Sequence, residues 1–429
     1  MGCHACRISL GSIDGNPFPP PSTHCYTLAM QRTEILILGG GLVGLTLALA
    51  LDAHGVRTVV VDPADPATTL SDTFDGRASA IASASWRMLE AIGLAEKLAP
   101  FGCKIRRIEV RDGLSTDALD FTPAHDALGT MVENRILRRV LREAALAAEH
   151  IDLRMPARAM SVTRGAAGVV ATLDDGQTIS ADLLVAAEGR NSPTRGAAGL
   201  RTANWKYESA AIISAFDHSL PHDNVAHEIF YPQGPFALLP MLPGNRSALV
   251  WTVDAKDAAG VMALSDHAFA VEAQKRTGDI LGDLSAAAPR STYPLGFHHA
   301  ATIVGERLAL VGDAAHGIHP IAGQGLNLGF RDVAALTEVL VEGMRIGLDF
   351  GDAQQLARYQ GWRSIDTLSV SVATDGLNRL FAVRGRPARA VRRFGLAAVQ
   401  RIAPLKSMFM AEARGESGAV PKLLQGVVV

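Results

Sequence analysis

Glu34-Ile-Leu-Ile-Leu38 reads as a buried strand, and three glycines follow it at the spacing Gly39-x-Gly41-x-x-Gly44. Leu45 to His54 then reads as a helix and Arg57 to Val61 as a second strand, with Asp62 at its end. This feature constrains the fold most, because two parallel strands joined by a crossover helix belong to layered α/β architectures. Glycine permits the tight turn and the close approach of a ligand to the backbone. Leu42 and Val43 lie inside the same turn. The helix start behind it carries unsatisfied N–H groups and a partial positive charge, which suit an anion. Asp62 stands about 20 residues beyond the glycines, where a ribose hydroxyl needs a carboxylate. The pattern points to a dinucleotide without saying which one. A membrane span over Ile35–Leu51 is the competing reading, but the stretch is short for one and holds the glycine cluster.

A second stretch, Arg307 to Val333, repeats the theme. Leu308 to Val311 is an apolar run of buried-strand type, closed by Gly312-Asp313. Pro320 and Gly323-Gln324-Gly325 break the chain, and helical spacing resumes at Leu326 with Phe330, Val333 and Leu336. A strand with a carboxylate at its tip, a Pro/Gly loop and a helix start again make an anion site. The plainer reading is an ordinary strand-to-helix turn.

At 429 residues the chain is too long for one ordinary core, so two or three domains are expected. A net charge of −2 gives no electrostatic footprint for nucleic acid, and none is expected as a partner. Cys3, Cys6 and Cys25 lie in the first segment and only Cys103 in the body, which excludes a disulfide framework there and fits a reducing cytoplasm. Residues 1–29 are Pro/Gly/Ser-rich without an apolar signal region, so we expect a disordered leader with the natural start at Met30.

Along the rest of the chain, Phe74-Asp75-Gly76-Arg77 precedes a predicted helix from about Ser79 to Ile92. Ile105–Arg111 and Leu119–Phe121 read as paired strands, and Met131-Val-Glu-Asn-Arg135 leads into an amphipathic helix ending at Ala147. Strands are expected at Ala157–Val162, Val169–Leu173 and Leu183–Ala186, with a hairpin turn at Asp174-Asp175-Gly176. From Ser209 to Ser291, apolar runs at Ala211–Phe216, Ala226–Tyr231, Phe236–Leu242 and Ala248–Val253 predict an antiparallel sheet. After Arg331 the pattern is helical. Between Asn378 and Ala411 no acid occurs, while Arg384, Arg386, Arg389, Arg392, Arg393, Arg401 and Lys406 accumulate. A solvated helix face explains such a run; a surface for an anionic membrane or acidic partner is the sharper reading. His316 and His319 have no third metal ligand nearby, so no metal is assigned and both are read as structural or pocket residues.

Gly39-x-Gly41-x-x-Gly44, Ala187-Glu188-Gly189 and Gly312-Asp313-Ala314-Ala315-His316 together resemble the three fingerprints of the class A flavoprotein aromatic hydroxylases. The run His319-Pro-Ile-Ala-Gly-Gln-Gly-Leu-Asn-Leu-Gly-Phe-Arg-Asp332 is similar to the ubiquinone-biosynthesis branch of that family, as are Asp75-Gly-Arg77 and Thr374-Asp375-Gly-Leu-Asn-Arg-Leu-Phe381. The likeness runs from Glu34 to about Gly426. One departure is Glu188, where the family usually has Asp in a motif tied to both flavin pyrophosphate and nicotinamide donor.

The resemblance implies an α/β fold: a glutathione-reductase-type, FAD-binding Rossmann domain with an inserted antiparallel β-sheet substrate domain and a C-terminal helical region. We assign residues 30–104, 131–205 and 292–350 to the first, 105–130 and 206–291 to the second, and 351–429 to the third. It further implies FAD, with the pyrophosphate on Gly39, Gly41, Leu42, Val43 and Gly44, Asp62 on the adenosine ribose, and Glu188, Gly312 and Asp313 along the ribityl–pyrophosphate chain. Gly323, Gly325, Leu326 and Asn327 would bring backbone N–H groups to the negatively charged edge of reduced flavin, Arg77 and Arg135 would contact the flavin, and Pro320 would pack where oxygen reacts. Electrons would come from NADPH, NADH or a ferredoxin, and O2 would be the co-substrate. The implied activity is hydroxylation of a polyprenylated phenol in ubiquinone biosynthesis through a flavin C4a-hydroperoxide, with no side-chain catalyst assigned. The alternatives are a hydroxylase of a small soluble aromatic compound and a flavin-binding subunit of a biosynthetic complex without chemistry of its own. The implied location is cytoplasmic and peripheral to the inner membrane, through the basic C-terminal run or a biosynthetic complex.

Overall fold

The computed structural model describes residues 30–69, 73–115, 118–124, 126–317, 324–364 and 403–429. The expected leader, His319, Pro320, Gly323, the segment Thr374–Phe381 and all of the basic run except Lys406 lie outside the described residues.

The strand Ile35–Leu38 pairs in parallel with Thr58–Val61, and the helix Leu42–Asp52 crosses between them. Six strands complete this sheet in the order Val304–Gly305, Leu308–Leu310, Leu183–Ala186, Ile35–Leu38, Thr58–Val61, Ile151–Arg154. Its central strands are buried at every position, and apolar at all but Thr58, because both faces are covered. The helix Leu42–Asp52 is buried from Gly44 to Leu51, as an apolar helix without a polar face must be. It packs among Ile136, Leu137, Val140 and Leu141 of the helix Asn134–Ala147 and Val333, Leu336 and Leu340 of the helix Gln324–Arg345. Truncating wholly buried Leu47 or Leu51 to alanine would cost about 2–5 kcal/mol. Among the described residues, no helix is long and apolar enough to cross a membrane.

A larger sheet runs Ser291–Ala300, Thr202–His218, Arg246–Asp254, Gly234–Met241, Val225–Tyr231 in antiparallel order, then in parallel to Arg107–Asp112, whose partner is Ala118–Phe121. One of its faces is closed by the helix Asp266–Thr277, with Phe269 stacked on Phe216 and Trp251. Another cluster, of Ala226, Met241 and Ala248, meets Cys103, Ile105, Leu128 and Met131. The last group belongs with a small sheet of Ala78–Ala82, Gly129–Glu133 and Cys103–Ile105.

Several elements differ from the sequence reading. Residues 79–82 are strand, not helix: Ala78–Ala82 pairs with Gly129–Glu133, and the helix starts only at Ser83. Alanine-rich Ala-Ser-Ala-Ile-Ala leans locally towards helix, and the pairing edge of Gly129–Glu133 overrides that weak preference. The predicted strand Ile105–Arg111 divides at Arg106, its two parts joining different sheets. Half-exposed Ile151–Arg154 and short Thr178–Ala181 lack an apolar run and were not expected. The helix after the Pro/Gly loop begins at Gln324 rather than Leu326. Residues 292–300 pair with Thr202–His218, so they lie with the large sheet and not with the parallel one.

Candidate functional site

The glycine turn leaves the parallel sheet at its carboxyl edge. Gly39 has φ +110°, and a Cβ there would lie 2.4 Å from the Ala187 carbonyl oxygen. A Cβ on Gly44 would lie 1.9 Å from the Gly39 carbonyl oxygen, so helix and turn touch through bare backbone. Gly41 is different: its φ of −76° suits any residue, and a Cβ would meet nothing within 4 Å. The space it keeps open is outside the protein, at the helix N-terminus, where an anion is favoured. Leu42 opens the helix, and Val43 packs beneath the second stretch. A Cβ on Gly312 or Gly329 would fall 3.1 or 2.7 Å from a Val43 methyl. Val43 thus brings the two sequence motifs into one site.

Asp62 holds the turn from the next strand. Its Oδ2 accepts the Gly40 N–H at 2.6 Å and its Oδ1 the Ala64 N–H at 2.7 Å. Glu188 caps a short helix, Pro193–Ala197, accepting from the Ser192 hydroxyl, from Thr194 N–H at 3.1 Å and from Thr194 Oγ1 at 3.0 Å. The extra methylene over aspartate lets this carboxylate reach forward along its own loop. Both acids line one cavity of about 630 Å³, with Arg158, Arg164, Met160 and Ala197.

At the second motif, Gly312 has φ +59° and donates its N–H to Asp332 Oδ2 at 2.8 Å. His316 Nε2 lies 2.7 Å from the same oxygen, and Arg363 Nε donates to Oδ1 at 2.6 Å. Asp332 is 0% exposed and Arg363 1%. Burial alone would raise the Asp332 pKa, but His316 and Arg363 outweigh it and hold the carboxyl below its usual range. Asp313 is exposed, and its carbonyl accepts from His298 Nε2 at 2.7 Å. The strand-tip turn is therefore pinned by a buried ionic network that the sequence reading did not assign. Its only signal was an acid inside the apolar face of the helix Gln324–Arg345. Among the described residues, no group of three His, Cys, Asp or Glu is placed to hold a metal.

The helix Gln324–Arg345 starts beside the glycine turn. A Cβ on Gly325 would meet nothing within 4 Å, while Leu326 packs on the core. The Asn327 side chain accepts from Ala82 N–H at 2.8 Å and donates to the Ala80 carbonyl at 2.8 Å, welding the helix start to the Ala78–Ala82 strand. Arg77 donates through Nε to Asp75 at 2.9 Å and Arg135 through Nε to Glu133. Arg77 lines a second cavity of about 210 Å³, against Ala78, Ala80, Ile213, Leu239 and Val250. Arg135 lines neither cavity. Glu228, in the same second cavity, was missed because a single acid in Val-Ala-His-Glu-Ile-Phe-Tyr reads as an outward residue of an edge strand.

These residues fit FAD. Gly41 and Gly325, at the starts of two helices joined through Val43, have Cβ positions that face empty space, and the cavity holding Asp62 and Glu188 includes Gly39 of the first turn.

The FAD binding domain family matches residues 32–361. The chain is 44% identical over 415 residues to the ubiquinone hydroxylase UbiL of Rhodospirillum rubrum, covering 95% of this chain and 96% of that protein. It is 35% identical to the 3-demethoxyubiquinol 3-hydroxylase of Escherichia coli K12, covering 90% and 99%. Among solved structures, Pseudomonas aeruginosa PqsL in complex with 2-aminobenzoylacetate superposes with a TM-score of 0.73 at 23% identity, over 84% of this chain and 100% of that one, which speaks to fold alone. By these matches the chain belongs to the ubiquinone-biosynthesis hydroxylases of the class A FAD-dependent monooxygenases, enzymes that use FAD and O2 on a Rossmann-type FAD-binding fold with a sheet-rich second region.

Proposed function

We propose that this chain hydroxylates the aromatic ring of a polyprenylated phenol on the route to ubiquinone. The observation that carries the reading is the near end-to-end match to hydroxylases named for ubiquinone and demethoxyubiquinol. The cavity between the large sheet and the Ala78–Ala82 strand supports it. That cavity is lined mainly by apolar side chains, and Ala80, whose carbonyl Asn327 binds, is part of its wall. An aromatic ring there lies next to the helix start that faces the flavin.

The chemistry FAD supplies when bound is activation of dioxygen and delivery of one oxygen atom to the ring. Gly39, Gly41, Leu42, Val43 and Gly44 would seat the pyrophosphate on the first helix N-terminus. Asp62 takes the adenosine ribose with the lone pairs its backbone contacts leave free. Glu188 shapes the adenosine cavity through the loop it caps. Gly312 and exposed Asp313 hold the ribityl chain, kept in place by Asp332. Gly323, Gly325, Leu326 and Asn327 would offer backbone N–H groups to the charged edge of reduced flavin, a stabilisation of about 1 kcal/mol from the helix dipole. Arg77 and Arg135 would contact the flavin, and Pro320 would pack on the side where oxygen reacts. The electron donor is a reduced nicotinamide or a ferredoxin. The basic run Arg384–Lys406 reaches the membrane or a biosynthetic complex from which the prenyl tail is drawn.

Turnover of a short-chain polyprenyl phenol and of 4-hydroxybenzoate, followed by oxygen uptake and product mass, tests the substrate class. Hydroxylation of the benzoate alone would assign a small soluble substrate, and bound FAD without stimulated oxygen uptake would assign a non-catalytic subunit. Unchanged liposome binding after neutralising Arg389, Arg392 and Arg393 would remove the membrane role.

A further inference from the structure

The cavity against Arg77 contains one acid, and its carboxylate has no hydrogen-bond or ionic partner among the described residues. Glu228 is 8% exposed, sits on the strand Val225–Tyr231 and lines the cavity beside Ala237, Leu239 and Val250. It pairs across the sheet with Ala237 and Val110, neither of which offers its side chain a hydrogen bond. Two of the ionic groups on neighbouring elements, Glu109 and Arg77, are already paired. Glu109 is bound by Arg107 at 2.6 Å and Arg111 at 2.7 Å, with His227 at 3.3 Å. Arg77 is tied to Asp75, and Arg138 stands in the field of that pair and of Tyr293. Asn134, Tyr293 and Thr252, whose buried hydroxyl also lacks a partner among the described residues, are the other polar side chains of the lining. A buried carboxyl without a donor is costly unless something else supplies one. The other wall of this cavity leads to Ala80 and the Asn327 helix start.

We propose that Glu228 receives the ring hydroxyl of the aromatic substrate and accepts its proton during hydroxylation, an inference that rests on the function proposed above. The phenol O–H bond breaks, and its proton passes to a Glu228 carboxylate oxygen. The electron pair left on the phenol oxygen enriches the ring carbons ortho and para to it. One of these forms the new C–O bond to the oxygen atom that the hydroxylation supplies. When that carbon loses its hydrogen as a proton to solvent, the proton on Glu228 returns to the ring oxygen. Glu228 ends ionised and the ring aromatic. Burial sets the group up for this role, lifting its pKa to about 7, where an acid can both take and return a proton. The apolar walls of the cavity, Ala237, Leu239 and Val250 among them, admit the ring, and Glu228 is the one carboxylate in the lining that could take its proton.

The test uses the full chain loaded with FAD, as parent, E228Q and E228A. Each is titrated calorimetrically with a short-chain 2-prenylphenol and its O-methyl ether, and with 4-hydroxybenzoate and 4-methoxybenzoate. The parent is expected to prefer the hydroxyl form at least about tenfold, because a site built for a hydroxyl rejects the analogue lacking its proton. E228A should bring that preference within about threefold. E228Q should lower kcat on the order of a hundredfold with little change in KM and remove the rise in kcat through pH 7. A merely structural acid would alter FAD retention and leave hydroxyl preference and pH profile in place. E228A retaining both overturns the proposal. If only the benzoates bind, the polyprenyl reading fails while Glu228 is judged on that pair. If the prenylphenol turns over alike in parent and E228Q, the substrate reading stands and Glu228 has no such role.

Discussion

Asparagine at position 332 would keep the volume of the side chain and remove its charge. Asp332 serves two donors and His316 with its two oxygens: Gly312 N–H at 2.8 Å, Arg363 Nε at 2.6 Å and His316 Nε2 at 2.7 Å. An amide has one acceptor oxygen, so one donor would face an NH2 group, and the buried Arg363 guanidinium would lose the charge of Asp332. Removing one partner of such a pair costs about 3–5 kcal/mol. The loss should appear as a fall of that size in unfolding free energy in urea, with FAD released earlier in the same titration. The pH dependence has a definite sign. The folded pKa of Asp332 lies below its ordinary value, so the stability it contributes is present above the unfolded carboxylate pKa near 4. That stability is lost as pH falls through the folded pKa. D332N should therefore show a flatter acid limb than the parent. R363Q should be destabilised as well, and the double variant by less than the sum, because each change removes the same pair. D332N within about 0.5 kcal/mol of the parent, with an unchanged acid limb, would refute the reasoning.

Three other perturbations follow from the site. Because a Cβ on Gly41 meets nothing within 4 Å, G41A should leave the apo protein's melting temperature nearly unchanged while weakening FAD binding on the order of tenfold in a fluorescence titration. G44A, with its Cβ at 1.9 Å from the Gly39 carbonyl, should fail to fold stably by circular dichroism. N327L, which strips Ala80 and Ala82 of both side-chain hydrogen bonds, should cost roughly 2 kcal/mol in urea unfolding; a loss under 0.5 kcal/mol would contradict the bridge. The Glu228 pKa is raised to about 7, so the folded state binds its proton more tightly than the unfolded state does. Stability should then fall as pH rises from about 4.5 to 7 and level off above, by about 3 kcal/mol at most, and thermal scans of E228Q should lack that fall.

The first parallel pair, its glycine turn and the crossover helix were legible because they rest on local causes. A run of Ile and Leu, a glycine that must adopt φ +110° at position 39, and an apolar helix behind it all act within a few residues. The four main strands of the large sheet were likewise found from their apolar runs, though the first is 17 residues long where only its apolar centre stood out. Elements without such a signal were misread: Ala78–Ala82 has side chains compatible with helix or strand and became strand through a neighbour some 50 residues on. The same division runs through the site. Spacing alone placed Gly39, Asp62 and Gly312 at strand ends and Gly41 and Gly44 at the helix start, since period and turn chemistry are properties of the nearby chain. The grip of Asp332 on Arg363, the bridge from Asn327 to a strand 245 residues earlier, and the isolation of Glu228 came only from tertiary packing. A buried charge takes its meaning from the groups around it, and those are chosen by sheet register and helix packing across the whole molecule, which no local pattern encodes.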